Sequence, residues 1–302
     1  MTPKPPINQV LRGDNLVLLR ERIPDAWVDL VYLDPPFQSG RDYLRFRDRW
    51  PWDETAAADY RDWTGRGPEK PARLLRHLHE LLGPGETLSY LVMMAPRLIE
   101  LYRALKPAGS LYLHCDPGLS HYLKVLLDLI FGPQNFRNEI IWRIGWVSGF
   151  KSRARKWIRN HDVILYYVKS RRFTFNKIHL DHADGYRRRR GPAGKNPGIP
   201  LADVWGLSNE EGLTSIQIMS FSREKLGWPT QKPEALLERI ISASSNPGDL
   251  VLDPFCGSGT TLAVAARLSR RWIGMDVSPE AAALARKRVA NLDPGFQSGA
   301  GP

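Results

Sequence analysis

Cysteine is nearly absent: Cys115 and Cys256 are the only two in 302 residues. That excludes a disulfide framework and leaves no cysteine pair at metal-ligand spacing. His179 and His182 have no cysteine partners for a zinc site, and His77 and His79, two apart on an expected helix, do not share a face. No run approaches the roughly 20 apolar residues of a membrane helix. The best candidate, residues 123–131, is broken by Lys124 and Asp128. Residues 1–6 lack the apolar core of a secretion signal. A cytoplasmic chain with a metal-free site and no membrane partner is the expectation. Acidic residues are also in deficit, with 32 Asp+Glu against 43 Lys+Arg and a net charge of +11. Such an excess points to a polyanionic partner.

The imbalance is local. Residues 137–195 hold sixteen Lys and Arg against four acids, a net +12 in 59 residues, so the other 243 residues carry −1. The same segment holds Trp142, Trp146, Phe150, Trp157, Tyr166, Tyr167, Phe173, Phe175 and Tyr186. Cations for phosphates interleaved with rings for bases are what a nucleic-acid surface needs. A solvated basic face with rings in the core is the plainer alternative. The candidate phosphate contacts are Lys151, Arg153, Arg155 and Lys156, and the run Arg187, Arg188, Arg189 and Arg190.

Apolar runs alternate with helical patterns along most of the chain. Strands are expected at 9–12, 27–33, 110–114, 140–142, 162–168, 249–253 and 272–276. Helices are expected at 16–22, 71–82, 90–105, 119–131, 232–242, 260–268 and 279–289. This alternation predicts an α/β fold with a doubly wound, mostly parallel sheet. The rest of 38–90 reads as irregular and polar, 176–229 as loop-rich, and 293–302 as a frayed tail. Trp50 and Trp52 suit packing of the 38–60 loop and DNA contact equally.

Two loops carry the chemistry. Residues 249–261 (DLVLDPFCGSGTT) read as a buried strand, a tight turn with Gly257 and Gly259, and a helix start. Glycine there lets backbone approach a ligand closely. The spacing fits neither GxxxxGK[ST] nor GxGxxG, so the ligand need not carry phosphates. Asp276 ends the next strand 17 residues beyond Gly259, where a carboxylate commonly binds ribose hydroxyls. The second loop, Asp34-Pro35-Pro36-Phe37, closes an apolar strand with two prolines that fix its backbone.

Together, LDPPF at 33–37 and DPFCGSGT at 253–260 resemble the S-adenosylmethionine-dependent DNA amino-methyltransferases. DPPF comes first, the basic region second and FxGxG last, an order that resembles the β class, whose Rossmann-like sheet is permuted. Gly13-Asp14 and the stretches 97–115, 135–142, 160–167 and 229–241 are also similar to family segments. The resemblance implies a cofactor, S-adenosyl-L-methionine, held by Asp14, Lys232, Asp253, Pro254, Phe255, Gly257, Gly259, Thr260 and Asp276. It implies catalysis by Asp34, Pro35, Pro36 and Phe37. The Asp34 carboxylate and Pro35 carbonyl would accept the two N–H bonds of an exocyclic amine, and Phe37 would stack on a flipped base. Asp-Pro-Pro goes mainly with adenine N6 in this family, which leaves cytosine N4 and an inert DNA-binding scaffold as alternatives. The implied organisation is a catalytic domain at 1–142 and 229–292 with a basic recognition region at 143–228. The implied partner is double-stranded DNA. A homodimer and a cognate restriction endonuclease, both frequent in the family, stay open.

Overall fold

The computed structural model describes residues 5–37, 48–143, 155, 157–180, 198–206, 224–290 and 292. In chain order the elements are β1 (Gln9–Arg12), α1 (Asn15–Arg22), β2 (Val28–Leu33), α2 (Glu54–Arg66), α3 (Glu69–Leu82) and α4 (Glu86–Ala104). There follow β3 (Leu105–Cys115), α5 (Pro117–Phe131), a 3-10 turn (Pro133–Asn135), β4 (Phe136–Arg143), β5 (His161–Val168), β6 (His179–Leu180), β7 (Ile199–Pro200) and β8 (Val204–Trp205). The chain continues with α6 (Glu234–Ser244), β9 (Leu250–Asp253), α7 (Thr260–Arg267), β10 (Arg271–Asp276) and α8 (Pro279–Ala290). No helix among the described residues is long and apolar enough to cross a membrane.

Eight strands form one sheet in the order β1-β10-β9-β2-β3-β5-β4-β8. The pairs from β1 through β3 are parallel, and β5 runs antiparallel to both β3 and β4. The expected doubly wound, mostly parallel sheet is thus observed. β2 pairs with β9, with Leu30 opposite Val251 and Val31 opposite Leu252. Chain connections leave this central pair in opposite directions, which makes it the switch point where α/β sheets open a ligand crevice.

Strand periodicity of two sorts the residues onto two faces. Val31, Leu33, Leu111, Leu113 and Leu165 pack with α1, α4 and α5. Leu30, Tyr32, Tyr112, Ile164 and Val251 pack with α6, α7 and α8. Because both faces are covered, strands such as β2 (VDLVYL) are near-continuously apolar.

Two features depart from the sequence reading. α2 lies in a stretch read as irregular. It buries no residue fully, so its apolar period is faint, and the helix starts on the Asp53 side chain, which accepts the Ala56 N–H. β5 and β8, inside the 143–228 span read as a basic recognition region, belong to the central sheet. β5 is almost entirely buried, so its apolar residues serve the core while the basic residues fall outside it. Of the basic candidates, Arg155 is described and exposed. Lys151, Arg153, Lys156 and Arg187–Arg190 lie outside the described residues, as do Trp146, Phe150, His182 and the 293–302 tail.

Trp52 packs against Tyr60 and His79, and Trp50 meets Tyr90 edge-on at 5.5 Å. His79 stacks on Tyr60, and His77 is exposed beside Glu80.

At the edge where β2, β3 and β9 begin, Asp29 accepts from Lys106 Nζ at 2.8 Å and from the Leu250 N–H at 2.9 Å. One carboxylate thereby ties three strands. Asp29→Ala leaves that backbone donor without its partner and should lower stability by roughly 1–3 kcal/mol, read as a drop in the urea midpoint.

Candidate active site

The opposite edge of the sheet gathers the polar residues. Continuing each strand's alternation past its apolar core puts Asp34 after Tyr32, His114 after Tyr112 and Asp253 after Val251. In antiparallel β5 the same end is the start, so Asp162 precedes Ile164 there. All four lie on the α6–α8 face, at the ends of neighbouring strands. Above them opens a cavity of about 910 Å³, walled by Asp34, Pro35, Pro36 and Phe37 on one side and by the loop after β9 on another.

The β9–α7 loop is held from several directions. Phe255 N–H and Thr261 Oγ1 donate to Asp253 at 3.0 and 2.6 Å, and the Asn15 amide donates to the Pro254 carbonyl at 2.7 Å. Arg288 donates to Thr260 Oγ1 at 2.8 Å. Gly257 and Gly259 have φ of +49° and +77°, values that disfavour a side chain. A Cβ on Gly259 would also sit 2.9 Å from that of Ala285 on α8. Gly259 therefore packs a helix, whereas Gly257, Thr260, Pro254 and Phe255 line the cavity. Cys256 is a buried packing residue over Gly274.

Asp276 accepts the Gly257 and Ser278 N–H groups, each at 2.9 Å. Burial raises its carboxyl above the ordinary value despite those bonds. Asp14 caps α1 through the Leu16 N–H and pairs with Arg97 at 2.6 Å. Both carboxylates lie on the cavity wall, where their remaining lone pairs suit ribose hydroxyls or an amine. Lys232, assigned with the cofactor group, instead lies against the other motif: its Nζ is 2.5 Å from Asp34 Oδ2 and 5.0 Å from the centre of the Phe37 ring. Asp34 Oδ1 is buried and has no hydrogen-bond partner among the described residues.

Sequence reasoning did not single out several residues of this edge. His114 is fully buried, 2.9 Å from Tyr32 Oη and 3.2 Å from Asp162. Arg159 pairs with Asp116 and Asp162 at the rim. Trp228 packs over Gly257, and Arg97 bridges Asp14 and Asn15. The available signal was positional: His114 lies near the end of the apolar strand beside β2, as Asp34 ends β2.

A family model described as DNA methylase (N6_N4_Mtase) matches residues 28–287. The chain belongs to the N6/N4 DNA methylase family. Its relatives include the type II methyltransferase M.HpaI of Haemophilus parainfluenzae, 30% identical over 97% of this chain and 77% of that protein. Another is the DNA adenine methyltransferase YhdJ of Escherichia coli K12, 28% identical over 93% of this chain and 82% of that one. Among solved structures, the DNA modification methylase TTHA0409 of Thermus thermophilus, complexed with S-adenosyl-L-methionine, aligns with a TM-score of 0.55 at 22% identity, covering 96% of this chain and 97% of that one. The cytosine-N4-specific PvuII DNA methyltransferase also gives 0.55 at 22% identity, covering 97% and 89%. These structures share the α/β methyltransferase fold. The methylase family thus contains relatives of both base types.

Burial pushes the Asp253 carboxyl from 3.8 up to about 7, with the Thr261 and Phe255 hydrogen bonds opposing and the Asp34 and Asp276 charges adding to the rise. Between those two values the native state binds more protons than the unfolded chain, so stability falls as pH rises through that window. Asp253→Asn should flatten this slope, as urea midpoints at pH 5 and pH 7.5 would register.

Proposed function

We propose that this DNA methyltransferase transfers a methyl group to the exocyclic N6 of adenine in duplex DNA. Asp34 carries the reading. Lys232 holds one of its carboxylate oxygens, and the other is buried, unpartnered among the described residues and set on the wall of the cavity. A buried acceptor without a donor is costly, and an amino N–H delivered by a bound base would satisfy it.

An exocyclic amine is a weak nucleophile because its lone pair is delocalised into the ring. Asp34 Oδ1 and the Pro35 carbonyl, accepting its two hydrogens, draw the nitrogen toward a tetrahedral shape. Pro36 offers no competing donor and holds that carbonyl's direction. Phe37, half-buried over His114, offers a ring for the flipped base. S-adenosylmethionine is the methyl donor, and it supplies an activated methyl on a sulfonium sulfur. Asp14, Asp276 and the backbone of 254–257 would hold it. The remaining barrier reduction is positional: the two crevice walls bring nitrogen and methyl carbon into line.

Asp rather than Ser before the two prolines favours adenine over cytosine, since an ionised carboxylate accepts more strongly than a hydroxyl. The basic candidates around 151–156 and 187–190 would contact phosphates, giving affinity and register but not sequence reading. Type II relatives such as M.HpaI are consistent with a partner endonuclease, and sedimentation analysis would test for a homodimer.

Expression in a methylation-free host, followed by nucleoside mass spectrometry, should yield N6-methyladenine. N4-methylcytosine in its place would transfer the same chemistry to the other base. Asp34→Ala should lower methylation at least about 100-fold while cofactor affinity, read by calorimetry, stays within a few-fold. Near-normal turnover in that variant would refute the assignment.

A further inference from the structure

Behind Asp34 lies a buried hydrogen-bonded chain whose direction can be worked out. His114 Nδ1 is 2.9 Å from Tyr32 Oη, and Nε2 is 3.2 Å from Asp162 Oδ2. Burial, then the charges of Asp34, Asp253 and Asp162, holds the Tyr32 hydroxyl well above its usual pKa, so it is a donor. Burial would raise Asp162, but the His114 hydrogen bond and charge, with Lys232 and Arg159, hold it below the ordinary value, so it is an acceptor. Neutral imidazole has one donor and one acceptor nitrogen. Nε2 therefore carries the hydrogen, and the Nδ1 lone pair faces Tyr32. The same Nδ1 lies 3.9 Å from Asp34 Oδ1, the oxygen that Lys232 leaves free and that has no hydrogen-bond partner among the described residues.

Methyl transfer leaves a proton to be removed. The new N–C bond forms as the C–S bond breaks, and the nitrogen, now positively charged, must shed one hydrogen. Asp34 Oδ1 is placed to take it. A carboxylic acid beside the Lys232 ammonium is a poor resting place, whereas imidazole is intrinsically the stronger base, with a reference pKa of about 6.5 against about 3.9.

We propose that His114 is the proton's next station: Asp34 Oδ1–H breaks, His114 Nδ1–H forms, and the imidazolium is stabilised by Asp162. Closing 3.9 Å to hydrogen-bond length asks for a movement of about 1 Å, with the Tyr32 hydroxyl rotating off Nδ1. Asp34 then returns to its ionised form, and the Nε2–H to Asp162 bond becomes charge-assisted. His114 acts through Asp34, without touching substrate, and is a positioning residue for the proton. The charged and titratable groups around it are Tyr32 and Asp34 from β2, Asp162 from β5, Arg159 before β5, Lys232 before α6 and Asp253 on β9. Phe37 and Trp142 complete its surroundings as uncharged rings at 5.3 Å each.

This inference rests on the methyltransferase reading, and single-turnover methylation of DNA by the full-length protein with labelled S-adenosylmethionine separates the two. Asp162→Asn keeps an acceptor for Nε2–H but removes the charge that favours imidazolium. Its plateau rate should fall about tenfold or more, and the acidic limb of its pH–rate profile should move to lower pH. Tyr32→Phe removes the donor from Nδ1 and makes the ring more basic, so its limb should move to higher pH. Cofactor affinity should be unchanged in both, and a packing defect would not move the limbs in opposite directions. Limbs that stay in place in both variants, with wild-type plateaus, would overturn the relay while leaving the methyltransferase reading intact. No methylation by the wild-type protein would overturn that reading itself. Should Asp162→Asn fail to fold, the Tyr32→Phe limb decides alone.

Discussion

Lys232 Nζ sits 2.5 Å from Asp34 Oδ2, and this contact joins parts of the chain 198 residues apart. The surrounding strand ends concentrate negative charge, with Asp34, Asp162, Asp253 and Asp276 all largely buried. Carboxylates so close raise one another's protonation unless cations intervene. Lys232 and Arg159 intervene on the Asp34 and Asp162 side. Asp253, braced by a hydroxyl and a backbone N–H in place of a cation, is instead driven toward neutrality. The edge thus sorts its acids by neighbour: Asp34 has a cation at contact, and Asp253 works as a hydrogen-bonding brace for the glycine loop.

A buried ion pair of this kind contributes little net stability, because the desolvation of both partners offsets their attraction. Its structural consequence is orientation. With one oxygen held by Lys232, Asp34 has a single free acceptor, lodged between the cavity and His114. Phe37 is wedged between Lys232 and His114 by ring contacts. Base platform, acceptor and proton route are therefore parts of one packed unit. The bracing of the β9–α7 loop by Asn15, Arg288 and Ala285 does the same for the cofactor wall.

Much of the fold was legible because its signals are local. β2 and β9 are apolar runs ended by proline or glycine loops, and α4 and α5 have apolar stripes bounded by breakers. α2 was not legible, since a helix without a fully buried residue has almost no apolar period to detect. β5 was read as a strand yet grouped with the basic region around it, because charge was counted over a window that a core strand crosses. The site divided similarly. The Asp34 and Gly257 loops carry distinctive spacing. His114, Asp162, Arg97 and Trp228 each stand alone in sequence, without a pattern.

The order of side chains on each strand, the two prolines after Asp34 and the glycines at 257 and 259 are written in the sequence. They determine that a rigid acceptor loop and a tight cofactor turn will form, because proline and glycine act on their own backbone. Only the tertiary structure decided that these loops share one cavity, that Lys232 serves Asp34, and that His114 and Asp162 stand behind it. Those relations depend on strand order and on the antiparallel insertion of β5, which brings the start of one strand to the ends of its neighbours. Pairing between strands is set by the packing of the whole sheet, and no local stretch of chain encodes it.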